Sequence, residues 1–305
     1  MNTLSEVLAL YLLSSRVPAN RIISILRDPV LLNNADLPTL TNAKNIIAKH
    51  RALSITINQT EWDNALRSHE KNHKNDLSLL CINDKEYPKS LKLIKNPPPV
   101  MFVKGETSTL KELPGIAIVG AREATVAGKE IARRVAKFMA EKKWVIVSGL
   151  ALGIDAAAHQ GSLDGKGKTI AVLAGGLDKP SPAANSDLGY EILENGGLWV
   201  SEHSLGTPPK REHFVPRNRI QIGLSTGSII VEAKKNSGSI TQAKFCTGQN
   251  RPLFAVIPHA PENPLKLNSE GTEYLVTELG AIPVKTKEDY SMILKIIENE
   301  KNLII

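Results

Sequence analysis

The sequence predicts an α/β protein built on a doubly wound, mostly parallel sheet, with a small helical module at its N-terminus. Three observations carry this prediction. First, six near-continuous runs of aliphatic and β-branched residues recur from Gly115 onward: GIAIVG (115–120), WVIVSG (144–149), TIAVLAGG (169–176), LWVSE (198–202), SIIVEA (228–233) and LFAVIP (253–258). Strands read this way when both faces of a parallel sheet are covered by helices. Second, helix-period patterns such as Lys129–Lys142 and Ser239–Gly248 lie between these runs, and alternation of strand and helix winds a sheet in both directions. Third, glycines close the first three runs, and in such sheets ligands sit beyond the carboxyl ends of the strands.

The segments before the sheet have a different rhythm. Residues 1–60 show helical spacing without strand alternation: Leu8, Leu10, Leu12 and Leu13 lead to a second helix over Ala19–Arg27, begun by Pro18 or Asn20. The opening stretch carries Glu6 early and lacks a basic leader, so it reads as an amphipathic helix and not as a signal peptide. Residues 63–78 are polar and expected at the surface. Asn96–Pro99 (NPPP) stiffens the chain into an extended connector, because proline fixes φ and removes a donor. The expected division is a helical module with connector over residues 1–90, a core over 91–286 and an amphipathic C-terminal helix over 287–305.

Bulk properties narrow the function classes. The 305 residues include 38 Lys/Arg against 31 Asp/Glu, a net charge of +7, which favours a polyanionic partner. Cys81 and Cys246 are the sole cysteines and have no zinc or redox spacing, so both read as small buried residues in a reducing cytoplasm. No run of about 18 uncharged apolar residues is present, so no membrane span is expected. There is no G-x-S-x-G elbow, no Cys/His signature and no carboxylate pair at one turn, and His203 and His213 lack metal-ligand spacing. No catalytic residue, cofactor or metal ligand is assigned.

The candidate site residues lie in the turns and in one basic segment. After the first run, Gly120 permits close approach to a phosphate and Arg122 can clamp it, or Arg122 can form an intramolecular ion pair. After the second, Ser148 and Gly149 offer an anion-cradling loop, Asp155 stabilises the start of the next helix, and His159 reads as a packed histidine. The turn at 174–185 carries Asp178 and Asn185, the latter able to start a helix. After the fifth run, Lys234 precedes Ser237, Gly238 and Ser239, a phosphate-cup composition at a helix start. Glu232 there is a general base or, by preference, a structural anchor. The strongest element is PKREHFVPRNR (Pro209–Arg219), read as a loop. In it Lys210, Arg211, Arg217 and Arg219 carry charge, Phe214 can stack on a base, and Asn218 can reach a phosphate or base edge. Pairing of Arg219 to an acid is the structural alternative.

Taken in order, several segments resemble the DprA/Smf family of DNA-processing proteins: YPKSL (87–91), NPPPVMFVKG (96–105), SGLALGID (148–155), RNRI (217–220), VEA with SGSITQA (231–243), and SEGTEYL with GA (269–281). The resemblance runs from about Trp62 to Ala281. It implies a Rossmann-like core that binds single-stranded DNA, forms homodimers and helps load the RecA recombinase during uptake of transforming DNA. By this likeness Arg122 matches the arginine of the family's Gly-Ser-Arg turn, and Lys210 or Arg211 with Phe214 matches its strand-contacting segment. The chain departs from the pattern at Ala121 (usually serine), Ser181 (usually tyrosine), Pro216 (displaced by one) and His259 (usually glycine), and no winged helix is expected after the core. A nucleotide N-glycosidase using Glu232, a structural scaffold, or use of the same fold in defence or DNA maintenance are the alternatives. The PGGxGTxxE signature of the N-glycosidase group is missing.

Overall fold

The computed structural model describes residues 3–28, 31, 37–50 and 56–304. Among the described residues nine strands form one sheet: β1 (Leu77–Cys81), β2 (Val100–Gly105), β3 (Gly115–Val119), β4 (Ile146–Ser148), β5 (Thr169–Val172), β6 (Leu198–Ser201), β7 (Ser225–Ile230), β8 (Leu253–Val256) and β9 (Ile282–Val284), in the order β1-β2-β6-β5-β4-β3-β7-β8-β9. From β6 to β9 every neighbouring pair is parallel; β2 runs antiparallel to β6, and β1 antiparallel to β2. The sheet is therefore mostly parallel and doubly wound. Every residue of β3 to β8 is buried, which is why these segments read as unbroken apolar runs and not as alternation.

Each of the six runs contains a strand, although the fifth begins earlier than its apolar character shows, at Ser225. Polar Ser225 and Thr226 enter this buried strand because neighbouring carbonyls take their hydroxyls: Ser225 donates to Gln221 and Thr226 to Gly115. Three strands lay outside the runs. β9 is short, and β1 and β2 flank the proline connector. The connector itself is pinned, since the Tyr87 hydroxyl donates to the Pro98 carbonyl at 2.6 Å and the Ile82 N–H to that of Pro99 at 3.0 Å.

The N-terminal helices are α1 (Thr3–Ser14), α2 (Ala19–Leu26), α3 (Leu40–Lys49) and α4 (Gln59–Lys74). Helix α1 is not amphipathic: all residues from Leu4 to Leu12 are buried, because α2, α4 and β1 pack around it. Helix α4 contains most of the 63–78 segment expected at the surface. It starts with a capping box, in which Asn58 accepts from the Glu61 N–H and Glu61 accepts from that of Asn58. Its outer face is polar as expected, but Trp62, Ala65 and Asn72 are buried. One apolar cluster runs from Leu4 and Trp62 through Phe102 to Val172 and Trp199, so the helical segment and this half of the sheet share a core.

The sheet is covered by a short helix α5 (Lys89–Lys92) and by α6 (Val126–Glu141), α7 (Ile154–Asp164), α8 (Ser186–Glu194), α9 (Arg211–Gly223), α10 (Gly238–Thr247), α11 (Glu270–Leu279) and α12 (Tyr290–Ile304). The C-terminal helix buries Ile293 and Ile297, one turn apart, as its pattern predicts. Both cysteines are free and buried. No helix among the described residues is long and apolar enough to cross a membrane.

Candidate functional site

The strand order reverses at β3, which has β4 on one side and β7 on the other. The connections leaving β3 and β7 therefore diverge and open a crevice beyond the carboxyl ends of these strands, where open α/β sheets take their ligands. A cleft of about 370 Å³ occupies that position. Gly120 and Arg122 reach it from the β3 turn, and Phe214, Arg217, Asn218 and Gln221 from α9. Lys234, Ser237, Gly238 and Ser239 reach it from the turn after β7.

The basic segment expected to be a loop is largely helical: Lys210 is the N-terminal cap of α9, and Arg211 to Arg219 lie within the helix. Sequence reasoning missed this because Pro216 reads as a helix breaker. The proline lies in the second turn, and the rest of the helix is held by contacts from outside it. Arg219 donates to both carboxylate oxygens of Glu202 at 2.6 Å and to the Asn96 carbonyl at 2.8 Å, tying α9 to the residue that follows β6 and to the proline connector. Burial pushes the Glu202 carboxyl up, but the Arg219 hydrogen bonds and charge outweigh this and hold it below its ordinary range. Arg219 is thus a positioning residue, fully engaged within the protein.

Arg217 is also built in. Its guanidinium donates to the carbonyls of Gly149 and Val172, and its Nε to the Asn218 Oδ1 at 3.2 Å. Burial lowers it to about 10, so it remains charged at neutral pH beside the buried Asp155. This explains Gly149: a Cβ there would collide with the guanidinium. The Gly149 N–H donates to Asp155 at 3.1 Å, and the Ser148 hydroxyl donates to the Ile118 carbonyl at 2.7 Å. The second turn is therefore corrected from an open cradle to an internal brace. It is completed by Asn185, which donates to the Leu150 and Ala151 carbonyls and does not cap its own helix α8.

The outer rim of the cleft is different. Arg122 is exposed, and its guanidinium lies over the half-buried Phe214 ring at 5.2 Å from the centroid, a cation–π contact that presents charge and ring together. Gly153 holds a positive φ of 79°, and its missing Cβ lets the β4 turn press against the Ala121 and Arg122 carbonyls. Lys234 is exposed and pairs with exposed Glu123 at 3.8 Å, a contact weak enough to exchange for another anion. Lys210 and Arg211 are exposed at the start of α9, outside the cleft lining.

The floor carries the most informative chemistry. Ser237 caps α10 without a side-chain cap hydrogen bond, and Gly238 has open space where a Cβ would stand. Ser237 Oγ, both amide atoms of Gln221 and Gln242 Nε2 are buried without a hydrogen-bond partner among the described residues. Buried polar groups are nearly always satisfied, and an orphan costs about 1–3 kcal/mol. Four such atoms on three residues of one cleft suit a polar ligand. Sequence reasoning passed over Gln221 and Gln242; the available signal was a polar residue amid apolar neighbours, as in Ile220-Gln221-Ile222.

Glu232 is a structural anchor. Fully buried, it accepts from the Thr125 N–H at 2.9 Å, the Thr125 hydroxyl at 2.8 Å and the Asn268 N–H at 2.9 Å. His159 is a packed residue, also buried. His203 and His213, distant in sequence, stack with centroids 4.2 Å apart.

Comparison with known proteins fits this architecture. The profile of the DNA recombination-mediator protein A family matches residues 78–295. The DNA processing protein DprA of Bacillus subtilis is 41% identical over 202 residues, covering 65% of this chain and 67% of that protein. Protein Smf of Synechocystis is 35% identical over 249 residues, covering 77% of this chain and 62% of that protein, so this chain spans under two thirds of the Smf length. Among solved structures, DNA processing protein A of Streptococcus pneumoniae superposes with a TM-score of 0.72 at 32% identity, over 92% of this chain and 95% of that one. The Helicobacter pylori protein, whose structure concerns a single-stranded DNA binding mode, gives a TM-score of 0.63 at 31% identity, over 72% of this chain and 96% of that one. A match across most of the length, from β1 into the C-terminal helix, establishes that the chain belongs to the DprA/Smf family of DNA recombination-mediator proteins.

Proposed function

We propose that this protein binds single-stranded DNA along the rim of the cleft beyond β3 and β7, and that it acts as a recombination mediator. The observation that carries the reading is the pairing of Arg122 with Phe214 above a floor of polar atoms that have no hydrogen-bond partner among the described residues. A guanidinium neutralises phosphate and an aromatic face accepts any base, the combination that suits an unpaired strand. Lys234 and the start of α10 supply further anion-binding groups on the same rim. Lys210 and Arg211 extend positive charge along the N-terminal end of α9. Ser148, Gly149, Arg217 and Arg219 serve this site by shaping it.

The description of the Helicobacter pylori relative supports the ligand class. Action on incoming or exposed strands in the cytoplasm, homodimer formation and loading of a RecA-type recombinase complete the proposal, and they rest on family membership. Glu232, the base of the hydrolytic alternative, is turned into the protein and holds two turns together, which favours the binding reading.

Fluorescence anisotropy with labelled oligonucleotides tests the reading. Single strands are expected to bind more tightly than duplex of equal length, with affinity falling steeply as salt rises. Equal affinity for both, or binding insensitive to salt, would overturn it.

A further inference from the structure

Away from the cleft, α4 carries the sequence His69-Glu70-Lys71-Asn72-His73, with two histidines four residues apart on one helical face. Glu6, from the buried helix α1, points at them. Its Oε2 lies 2.5 Å from His69 Nε2, and His73 Nε2 lies 3.3 Å from the same nitrogen. The three potential ligand atoms all fall within 4.8 Å of one another. The Glu6 side chain is 3% exposed and that of His69 12%, whereas His73 is exposed, so the group is open to solvent on one side.

Protons alone serve this arrangement poorly. His69 Nε2 can carry one hydrogen, yet it faces both a carboxylate oxygen and a second ring nitrogen. If that hydrogen goes to Glu6, His73 Nε2 receives no donor from within the cluster and depends on solvent. If His73 donates to His69 instead, a bare nitrogen lone pair confronts the carboxylate. Glu6 Oε1, the other carboxylate oxygen, is buried with no hydrogen-bond partner among the described residues. A single cation placed among the three atoms satisfies all of them at once. Two imidazoles four residues apart with one carboxylate from another helix is a zinc-type donor set, with three protein ligands and a position left for water.

We propose that Glu6, His69 and His73 form a binding site for a divalent transition-metal ion of the zinc class, clamping α1 to α4. The site holds metal and is not assigned a reaction, since exposed Glu70 lies outside the converging ligand group. Its consequence is mechanical. The ion fastens the innermost N-terminal helix to the helix that leads directly into β1 at the sheet edge. The sequence reading of metal spacing, confined to the two cysteines and to His203 and His213, did not cover it.

The test uses the untagged full chain, stripped with chelator and titrated with zinc chloride by calorimetry, with cobalt(II) as a spectroscopic probe. One equivalent should bind, cobalt should give visible bands of a low-coordinate nitrogen–oxygen site, and zinc should displace it. His73→Ala, at an exposed position where folding is preserved, should weaken affinity by at least about tenfold, as should Glu6→Gln, which keeps the buried side chain's size. Zinc should also raise the melting temperature of the parent protein but not of His73→Ala. Absence of saturable binding would overturn the proposal. So would one-equivalent binding that both substitutions leave unchanged, which would place the ion elsewhere.

Discussion

Among the arginines of the basic segment, identical chemistry is put to opposite uses. Arg217 and Arg219 turn inward, one beneath Gly149 and the other onto Glu202, while Arg211 stays in solvent. Composition alone does not separate these roles; burial does. Two predictions follow this division. Replacing Phe214 by Ala should reduce oligonucleotide affinity by about 1–3 kcal/mol, with Phe214→Trp retaining most of it, as anisotropy would show. Replacing Arg217 by Met should instead destabilise the fold by about 3–5 kcal/mol in urea unfolding, because it removes the positive charge near buried Asp155 and frees the Gly149 and Val172 carbonyls. An Arg217→Met protein as stable as its parent would contradict the bracing role.

Elements show why some of the architecture was legible and some was not. The strands from β3 to β8 announced themselves because both faces are buried, which leaves a continuous apolar run. β1 and β2 did not, since Leu77–Cys81 and Val100–Gly105 flank a connector whose prolines dominate the local reading. Helix α9 was obscured by Pro216, and its stability comes from partners distant in sequence, which no local pattern records. In the site, the glycine turns and Arg122 with Phe214 were visible as composition, whereas Gln221 and Gln242 gained meaning only once α9 and α10 were placed beside each other. Helix α7 supplies a pH prediction. His159 Nε2 has no hydrogen-bond partner among the described residues, and its Nδ1 lies 2.7 Å from the Thr169 hydroxyl, which itself donates to the Ile146 carbonyl. Nδ1 therefore carries the proton, and burial lowers the group to about 3 from an ordinary 6.5. Above 6.5 both folded and unfolded chains hold it neutral. As pH falls from there toward 3 the unfolded chain alone takes up the proton, so this residue should lower stability by about 1.4 kcal/mol per pH unit. Denaturant melts of His159→Gln across that window should show a shallower decline than the parent; parallel curves would refute the assignment.

Over the whole molecule, the sheet sets the site and the helices decide what faces it. Reversal of strand order at β3 opens one crevice, α9 and α10 bring charge, ring and amides to its edge, and the N-terminal helices share a core with the opposite half of the sheet. A net charge of +7 favours approach of a polyanion, but the steepness of the salt response depends on how many phosphates the rim contacts. Removing cations one by one should therefore change the slope and not simply the affinity. The most direct test is the salt dependence of single-strand binding for the parent, Arg122→Ala and Arg122→Ala/Lys234→Ala. The magnitude of the slope of log affinity against log salt should drop by about 0.7 with each substitution. A double variant whose slope and affinity both equal those of the parent would show that the strand does not lie along this rim.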